Sequence, residues 1–147
     1  MKQTLFKDVW QLSKAMRMEI GEVFAPKSPD DISVVEGMFL VVLENRKEQH
    51  LGARELQDIF VLSKATVSEL LSSLEKKGYI TVTPSLTDKR RKDIALTEKA
   101  LVYVDKAIDI FAEMESHFVE GVDANDLKVF HRVVKQMERN VLGEKHR

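Results

Sequence analysis

The feature that most constrains the fold of this chain is a continuous stretch, Leu56 to Ala100, in which three patterns follow one another. An apolar pattern of helical spacing ends at Phe60, and a second, longer one begins after Ser63. Two segments rich in β-branched and aromatic residues, which favour strands, follow at Tyr79–Thr83 and Ile94–Leu96. This order predicts two helices joined by a short turn and followed by a β-hairpin, the arrangement of a winged DNA-binding unit.

The second of these helices has two contrasting faces. Ser63 is placed to cap its first turn and Gly78 to end it. One face is a buried stripe of Val67, Leu70, Leu71 and Leu74. At about 100° per residue, the opposite face carries small and polar side chains, where a helix facing only solvent would more often carry Glu, Lys and Arg. The sequence therefore predicts a helix that enters a groove with the outer residues Ala65, Glu69, Ser72, Ser73 and Lys76.

Charge is distributed unevenly along the chain. The formal net charge is −1, which does not suit a protein that coats polyanions indiscriminately. Residues 63–92 contain seven cations and three anions, so this stretch carries +4 and the rest of the chain −5. Four of the cations, Lys89 to Lys92, occupy the loop between the two predicted strands. Any nucleic-acid binding must therefore depend on this local charge.

The composition limits the class of protein. The chain has 147 residues, of which 44% are apolar and 32% charged, enough for one helical domain with a core. It has no cysteine, which excludes disulfides, thiolate metal sites and a cysteine redox sensor and suits a reducing compartment. The N-terminal segment does not resemble a signal peptide, and no apolar run approaches the roughly 20 residues of a membrane helix. A cytoplasmic protein without membrane contact is expected.

A long amphipathic helix is predicted before the central unit, over Thr4–Phe24, and Pro26 and Pro29 end it. Ser33 and Glu36 then have the spacing of a capping box at the start of a second helix. The apolar stripe of the first helix consists of Leu5, Val9, Leu12, Met16, Ile20 and Val23, and that of the second consists of Val35, Phe39, Val42 and Leu43.

Two more helices are predicted after the hairpin. Thr97 caps one that reaches Phe118, and Asp123 starts the last after a break at Gly121. The predicted inward residues of the first are Leu101, Val104, Ile108, Phe111 and Phe118. Those of the last, at a coiled-coil-like spacing of three and four, are Leu127, Phe130, Val134, Met137 and Val141.

The terminal helices carry more apolar surface than the small central unit can cover. A two-fold homodimer is the simplest closed arrangement that buries these faces. The alternative is a monomer whose terminal helices pack on their own central unit. We therefore expect one domain, 1–147, with a winged helix-turn-helix unit at about 33–99 and terminal helices at 1–25 and 100–147, which are dimerisation helices in the first of these arrangements.

Together with its wing, the central stretch resembles the MarR family of bacterial transcription regulators, which are winged helix-turn-helix dimers. The first matching segments are Glu55–Leu56, Ser63–Ser68 (SKATVS) and Leu74–Ile80 (LEKKGYI). In the family's wing pattern, D-x-R-x-x-x-L-x-L-T-x-x-G, Ile94 here replaces the first leucine and Ala100 the glycine. The resemblance implies a mainly α fold with a small β-hairpin wing. The wing residues that match are Asp88, Arg90, Ile94, Leu96 and Thr97.

The resemblance implies that the helix after Ser63 binds in the major groove of double-stranded DNA. Lys64 would contact a guanine edge or a phosphate, and Ala65 a thymine methyl group. Glu69 would accept a hydrogen bond from cytosine or would only repel phosphate. The hydroxyl groups placed to bind a base or a phosphate are those of Ser63, Thr66, Ser68 and Ser72.

The resemblance also places the wing beside the adjacent minor groove. Arg90 or Arg91 would enter it where narrow A·T-rich stretches concentrate negative potential, and Asp88 would hold an arginine of the wing in place. Lys89 and Lys92 complete the basic loop, although such a charge run, taken alone, is usually a solvated loop. Two units about 34 Å apart would read a pseudo-palindromic site.

The chain lacks several arginines that members of the family often carry. In those members the arginines stand at positions that correspond to residues near Glu69, near Ser73 and at Val82 or Thr83 of this chain. Because phosphate contacts supply much of the affinity for DNA, we expect modest affinity or a heavier dependence on the wing and on Arg54.

A regulator of this family usually responds to a small-molecule effector, in a pocket between the dimer helices and the winged unit. Trp10, Met16, Met38 and Phe39 are the candidate contacts. The alternative is that these residues, at helical spacing, are core residues. The family thus implies a repressor that binds its operator as a homodimer and is released by a ligand.

Other functional classes find little support. His50, His117, His131 and His146 form no compact ligand motif, although Glu113-x-Glu115-x-His117 brings carboxylates close. No catalytic motif of a hydrolase, a phosphate-binding glycine loop or a metalloprotease is present. No enzyme activity, metal or cofactor is therefore predicted. The competing interpretation is a winged helix used for protein contact, with little affinity for DNA.

Overall fold

The computed structural model describes residues 4–28 and 31–143. It contains six α-helices and one two-stranded antiparallel hairpin. The elements are α1 (Leu5–Glu19), α2 (Val34–Asn45), α3 (Ala53–Phe60), α4 (Lys64–Lys76), β1 (Ile80–Pro84), β2 (Lys92–Leu96), α5 (Glu98–Phe118) and α6 (Ala124–Leu142). The predicted class, mainly helical with a small hairpin wing, is confirmed.

Four predicted helix starts are confirmed by their side-chain caps. Ser33 and Glu36 form the reciprocal capping box of α2. Ser63 Oγ accepts a hydrogen bond from the Thr66 N–H at 3.1 Å at the start of α4. The start of α5 has Thr97 and that of α6 has Asp123 in the same role. These contacts satisfy amide groups that the first turn of a helix leaves without a partner.

The first helix differs from the prediction at its C-terminal end. Regular α-helix stops at Glu19, a wider π-helical turn follows at Ile20–Phe24, and a 3₁₀ turn follows at Ala25–Lys27. Pro26 lies in that 3₁₀ turn and has no N–H to continue an α-helix. Phe24, at the end of the wide turn, is fully buried and stacks on Phe111 with ring centroids 4.6 Å apart. Pro29, which was also expected to end the helix, lies outside the described residues.

The core is formed by one face of α2, α3 and α4, the base of the hairpin and one face of α5. The predicted stripe of α4 is buried at Val67, Leu71 and Leu74, and Leu70 is half-buried. The other buried residues are Phe24, Ile32, Phe39, Leu40, Leu43, Leu51, Leu56, Tyr79, Ile80, Ala100, Tyr103, Val104, Ala107 and Met114.

The predicted inward face of α5 is wrong in part. Val104 is buried, but Leu101, Ile108 and Phe118 are exposed. The face of α5 that packs on the core of this chain consists of Ala100, Tyr103, Val104, Ala107 and Met114. On α2, Val35 was also predicted to point inward and is exposed.

The terminal helices leave large apolar side chains uncovered. Neither α1 (Leu5–Glu19) nor α6 (Ala124–Leu142) contains a buried residue in the single chain. No helix within residues 4–28 and 31–143 is long and apolar enough to cross a membrane. The exposed apolar residues of these two helices are Leu5, Phe6, Val9, Trp10, Met16, Met18, Val129, Phe130, Val133 and Val141.

The hairpin pairs Ile80 with Leu96 at its base and Pro84 with Lys92 at its far end. Lys92, which was assigned to the loop, is therefore the first residue of β2. The Thr97 hydroxyl donates to the Gly78 carbonyl at 2.7 Å and closes the base of the hairpin at the start of α5. The loop thus projects from a base that is fixed to the core.

Candidate nucleic-acid interface

The outer face of α4 is open to solvent along its length. Lys64, Ala65, Ser68 and Ser72 are exposed, as predicted, while the opposite stripe is buried. Ser68 and Ser72 have no hydrogen bond from their hydroxyls to any described residue, so both groups face solvent unpaired. Glu69 and Lys76 are exposed on the same face.

The hydroxyls of Ser63 and Thr66 already bind each other. Ser63 Oγ donates to Thr66 Oγ1 at 2.9 Å and accepts from the Thr66 amide at 3.1 Å. Both residues remain exposed. Their first role is therefore to begin α4, and each hydroxyl oxygen still has a lone pair to offer a ligand.

Ser73 was predicted to face outward, and this is wrong. Its hydroxyl donates to Glu36 Oε2 at 2.8 Å, because α2 packs against this side of α4. Lys77 Nζ lies 3.0 Å and 3.2 Å from the two carboxylate oxygens of the same Glu36. Ser73 and Lys77 are thus half-buried and bound to Glu36, on the side of α4 that meets α2.

Glu36 is a buried carboxylate, with 4% of its surface exposed. Burial opposes its ionisation, but the hydrogen bond from the Ser33 amide and those from Lys77 and Ser73 outweigh burial. The pKa of Glu36 is therefore held below its ordinary value, and the group stays charged. Sequence spacing identified Glu36 only as a helix-capping residue, and its contact with α4 was not predicted.

The loop of the hairpin is ordered by its own hydrogen bonds. Ser85 Oγ accepts from the amides of Thr87 and Asp88, each at 3.3 Å. Asp88 was expected to hold an arginine side chain, but its Oδ1 accepts from the Arg90 main-chain amide at 2.9 Å. Asp88 therefore supports the wing through the backbone.

The two wing arginines have different environments. The Arg91 guanidinium turns back to helix α3, where Nη2 donates to Glu55 Oε1 at 2.7 Å and to the His50 carbonyl at 3.4 Å. Burial opposes ionisation of Glu55, but hydrogen bonds that include the one from Arg91 lower its pKa. Arg90, Lys89 and Lys92 are exposed, and none has an ion pair with a carboxylate in the described part of the chain.

The remaining predicted cations lie at the starts of the two helices. Arg54 is the second residue of α3 and Lys64 the first of α4, and both are exposed. Of the seven cations in residues 63–92, Lys77 and Arg91 are paired with carboxylates. The open cations of that stretch, counted over described residues, are Lys64, Lys76, Lys89, Arg90 and Lys92.

The four candidate effector contacts have unlike positions. Phe39 is fully buried in the core, with its ring 4.7 Å from that of Phe60. Met38 is half-buried, whereas Trp10 and Met16 are exposed on α1. Phe39 is thus a core residue in the single chain.

The histidines show no metal centre in the described residues. No group of three His, Asp or Glu side chains in residues 4–28 and 31–143 is arranged to hold a metal ion. His117 Nδ1 lies 2.8 Å from Glu19 Oε1, and Glu113 pairs with Lys27. His146 lies outside the described residues.

Comparison with known proteins gives consistent matches. The model of the MarR family matches residues 30–91. The HTH-type transcriptional regulator SarZ of Staphylococcus saprophyticus is 33% identical over 106 residues, which cover 70% of this chain and 73% of SarZ.

Solved structures share the fold. The crystal structure of the S. aureus MepR–DNA complex matches with a TM-score of 0.81 and 24% identity, over 95% of this chain and 100% of that one. The Streptomyces coelicolor regulator PcaV, in complex with its natural ligand, matches with a TM-score of 0.75 and 18% identity, over 93% and 96%. At these identities the likeness concerns the fold.

Proposed function

This chain belongs to the MarR family of transcription regulators, and we propose that it is a repressor that binds a pseudo-palindromic DNA site as a homodimer. In this proposal a small-molecule ligand releases the protein from DNA. Members of the family are transcription regulators and not enzymes. The observation that carries the proposal is the exposed, small and polar outer face of α4 beside a wing whose open cations include Arg90.

The outer face of α4 fits the major groove. Its short side chains, Ala65, Ser68 and Ser72, let the helix backbone approach base edges closely. Lys64 lies at the helix N-terminus, where the unpaired amides and the helix dipole also attract phosphate. The hydroxyls of Ser63 and Thr66 complete this polar end of the helix.

The wing fits the neighbouring minor groove. The hydrogen bonds that the Ser85 and Asp88 side chains accept order its loop in advance, so little conformational entropy is lost when it meets DNA. Arg90 has no carboxylate partner in the described residues and is the arginine free to enter the groove. Lys89 and Lys92 would contact phosphates on either side, and Arg54 a phosphate near α3.

The uncovered apolar faces support the homodimer. Single exposed apolar side chains are ordinary, but α1, α5 and α6 together expose a large number of them. A second copy of the chain would bury Trp10, Phe130 and Ile108 in a two-fold interface. The dimer would also present two copies of α4 to successive turns of one DNA face.

Ligand release rests on similarity of fold. PcaV, which has this fold, has been solved with its natural ligand. In this chain the proposed effector contacts are Trp10 and Met16, which are exposed on α1, and Met38, which is half-buried on α2. Phe39, the fourth predicted contact, is fully buried and would support this site as a core residue.

A second candidate function is a protein-interaction module. The outer face of α4 carries the exposed Glu69 and no arginine, and Ser73 and Lys77 are engaged by Glu36. A carboxylate repels phosphate, so this face is a weaker DNA surface than one with two arginines. A protein partner would bind without the steep salt dependence of DNA.

The test is selection from a random duplex pool, followed by anisotropy titration of the selected site at several salt concentrations. We expect a two-fold symmetric site, bound with an affinity that falls steeply with salt. Lys64→Ala and Arg90→Ala should each weaken binding, whereas Lys128→Ala on α6, outside the winged unit, should not. Failure to enrich any site, with weak binding unaffected by Lys64→Ala and Arg90→Ala, would favour the protein-interaction module.

A further inference from the structure

Two carboxylates, one from each helix of the helix-turn-helix, hold the hairpin at separate points. At the middle of β1, Glu75 of α4 accepts a hydrogen bond from the Val82 amide at 3.1 Å. Near the loop, Glu55 of α3 accepts from the Arg91 guanidinium at 2.7 Å. The position of the wing relative to both helices is therefore fixed at two places instead of one.

The site that receives Arg91 is shaped for a guanidinium. Nη2 also donates to the carbonyl of His50, a residue that adopts the left-handed conformation with φ 50°. Gly52 lies beneath it: a Cβ there would lie 3.1 Å from Arg91 Nη2 and 3.2 Å from Glu55 Oε2. Since φ of Gly52 is −113°, its backbone does not require glycine, but an added Cβ would press on both side chains of the ion pair, which would have to move by a few tenths of an ångström.

Glu55 binds both helix α3 and the wing. Its Oε2 accepts from the Gly52 amide at 3.0 Å and caps α3, while Oε1 holds Arg91. The carboxylate lies at the N-terminus of α3, where the helix dipole favours negative charge. The wing is thus tied to the first turn of α3.

We propose that Arg91 is a positioning residue and not a groove contact: with Glu55 and Gly52 it sets the distance between the wing and α4, so that α4 and Arg90 reach the same duplex. The inference rests on the proposed DNA-binding function and adds a division of labour within it. Arg90 binds DNA, and Arg91 acts through Glu55.

Direct contact and positioning predict opposite effects for Glu55. If Arg91 bound DNA directly, Glu55→Gln would remove a competing anion and strengthen binding or leave it unchanged. If Arg91 positions the wing, Glu55→Gln and Arg91→Gln each weaken specific binding, by roughly ten-fold, and the double variant is no weaker than Arg91→Gln alone.

Gly52→Ala provides a test that changes no charge. Its methyl group presses on both side chains of the ion pair and forces them to shift, so it should weaken specific binding in the same direction as Arg91→Gln but by less. Arg90→Ala should also reduce the affinity for DNA less in the Arg91→Gln variant than in the wild type, because the wing of that variant no longer holds Arg90 at the groove. Additive losses for Arg90 and Arg91, with a neutral Gly52→Ala, would overturn the proposal.

A measurement without DNA separates this inference from the proposed function. Leu86, at the wing tip, is fully exposed, and the chain has no cysteine, so Leu86→Cys accepts a single nitroxide label. Its mobility should rise in Arg91→Gln, Glu55→Gln and Gly52→Ala and stay unchanged in Lys89→Ala. Equal mobility of the label in all variants would show that the Arg91–Glu55 ion pair does not hold the wing. Wild-type protein that selects no DNA site, with the mobility changes present, would instead reject the DNA-binding function.

Discussion

Lys77, the residue that follows helix α4, and Glu36 of helix α2 form an ion pair in which Nζ lies 3.0 Å and 3.2 Å from the two carboxylate oxygens. Glu36 is buried and also accepts from Ser73 of α4 and from the amide of Ser33. One carboxylate therefore joins the start of α2 to the second half of the helix proposed to read DNA. Its contribution to stability follows from the donors it satisfies.

Glu36→Gln should destabilise the protein by about 1–2 kcal/mol at pH 7, because it removes the charge that Lys77 and Ser73 bind. The difference between variant and wild type, measured by urea unfolding, should shrink in acid. Folding lowers the pKa of this carboxyl, so its charge stabilises the fold at any pH above the ordinary pKa of 4.5. That stabilisation is lost as the pH falls through the lower pKa of the folded state.

The matched control is Glu113→Gln, which removes a carboxylate from the exposed pair with Lys27. An exposed ion pair contributes little, so its effect should stay within about 0.5 kcal/mol. Equal effects of the two variants at pH 7 would show that Glu36 does not join α2 to α4 in solution.

Gly37→Ala should destabilise the protein, by roughly 1–3 kcal/mol, because an added Cβ would overlap the hydroxyl oxygen of Tyr103. Tyr103→Phe removes that oxygen and should recover part of the loss in the double variant, as measured by denaturant unfolding. Gly21→Ala is the control, since a Cβ there meets nothing within 4 Å. A double variant whose losses simply add would contradict the close packing of Gly37 on Tyr103.

Local features of the fold were predictable from the sequence. Ser33, Ser63 and Thr97 cap amides three residues further along the chain, so their role depends on nearby residues alone. The period of the stripe on α4 identified its buried side for the same reason. The ends of the strands depend on pairing across the hairpin, and β2 begins at Lys92, which pairs with Pro84, instead of at Ile94.

The contacts that position the candidate site were not predictable. Ser73 and Glu36 are 37 residues apart, and Arg91 and Glu55 are 36 apart, so their meeting depends on how whole elements pack. On α5 the period identified apolar residues but not which of them pack on this chain's own core, and Ile108, predicted to point inward, is exposed. The family pattern likewise marks Asp88 but not the atom it binds.

Val61→Gly should stabilise the protein against unfolding. It follows α3 with φ 52°, a left-handed conformation that is unfavourable for a β-branched residue, and 58% of its surface is exposed. Relief of about 1–2 kcal/mol of backbone strain, reduced by the entropy that glycine loses on folding, leaves a gain of roughly 0.5–1 kcal/mol for Val61→Gly. Denaturant unfolding measures it.

Val122→Gly is the control for that substitution, because Val122 is also exposed but its φ is not positive. It should lose stability, since glycine then adds unfolded-state entropy without relieving strain. A loss for Val61→Gly as large as that for Val122→Gly would contradict the left-handed turn between α3 and α4.

Phe130→Glu should weaken the proposed homodimer, because it places a charge in the uncovered apolar face of α6. The mass measured by sedimentation should be about twice the chain mass of 16.8 kDa for the wild type and should fall toward the mass of one chain for the variant. Lys135→Glu is the control: Lys135 pairs with Glu138 on the exposed polar side of the same helix. A dimer equally strong in both variants would remove α6 from the interface.

His117 should titrate above its ordinary pKa of 6.5, chiefly because its ring nitrogen is hydrogen-bonded to the Glu19 carboxylate and secondly because of the charge of that group. A raised folded pKa stabilises the protein below pH 6.5, and this is lost as the pH rises through the folded value. The contact joins the end of α1 to α5. An NMR titration of the imidazole protons measures it directly.

Glu19→Gln should return the His117 midpoint toward 6.5, because the hydrogen bond then lacks a charged acceptor. Glu22→Gln, an exposed carboxyl in the turn that follows α1, should leave the midpoint where it is. The effect should persist at high salt, because a direct hydrogen bond at 2.8 Å is screened less than distant charges. An unchanged midpoint in Glu19→Gln would mean that the end of α1 is not held against α5 in solution, and the helix would then be free to pack on a partner in another position.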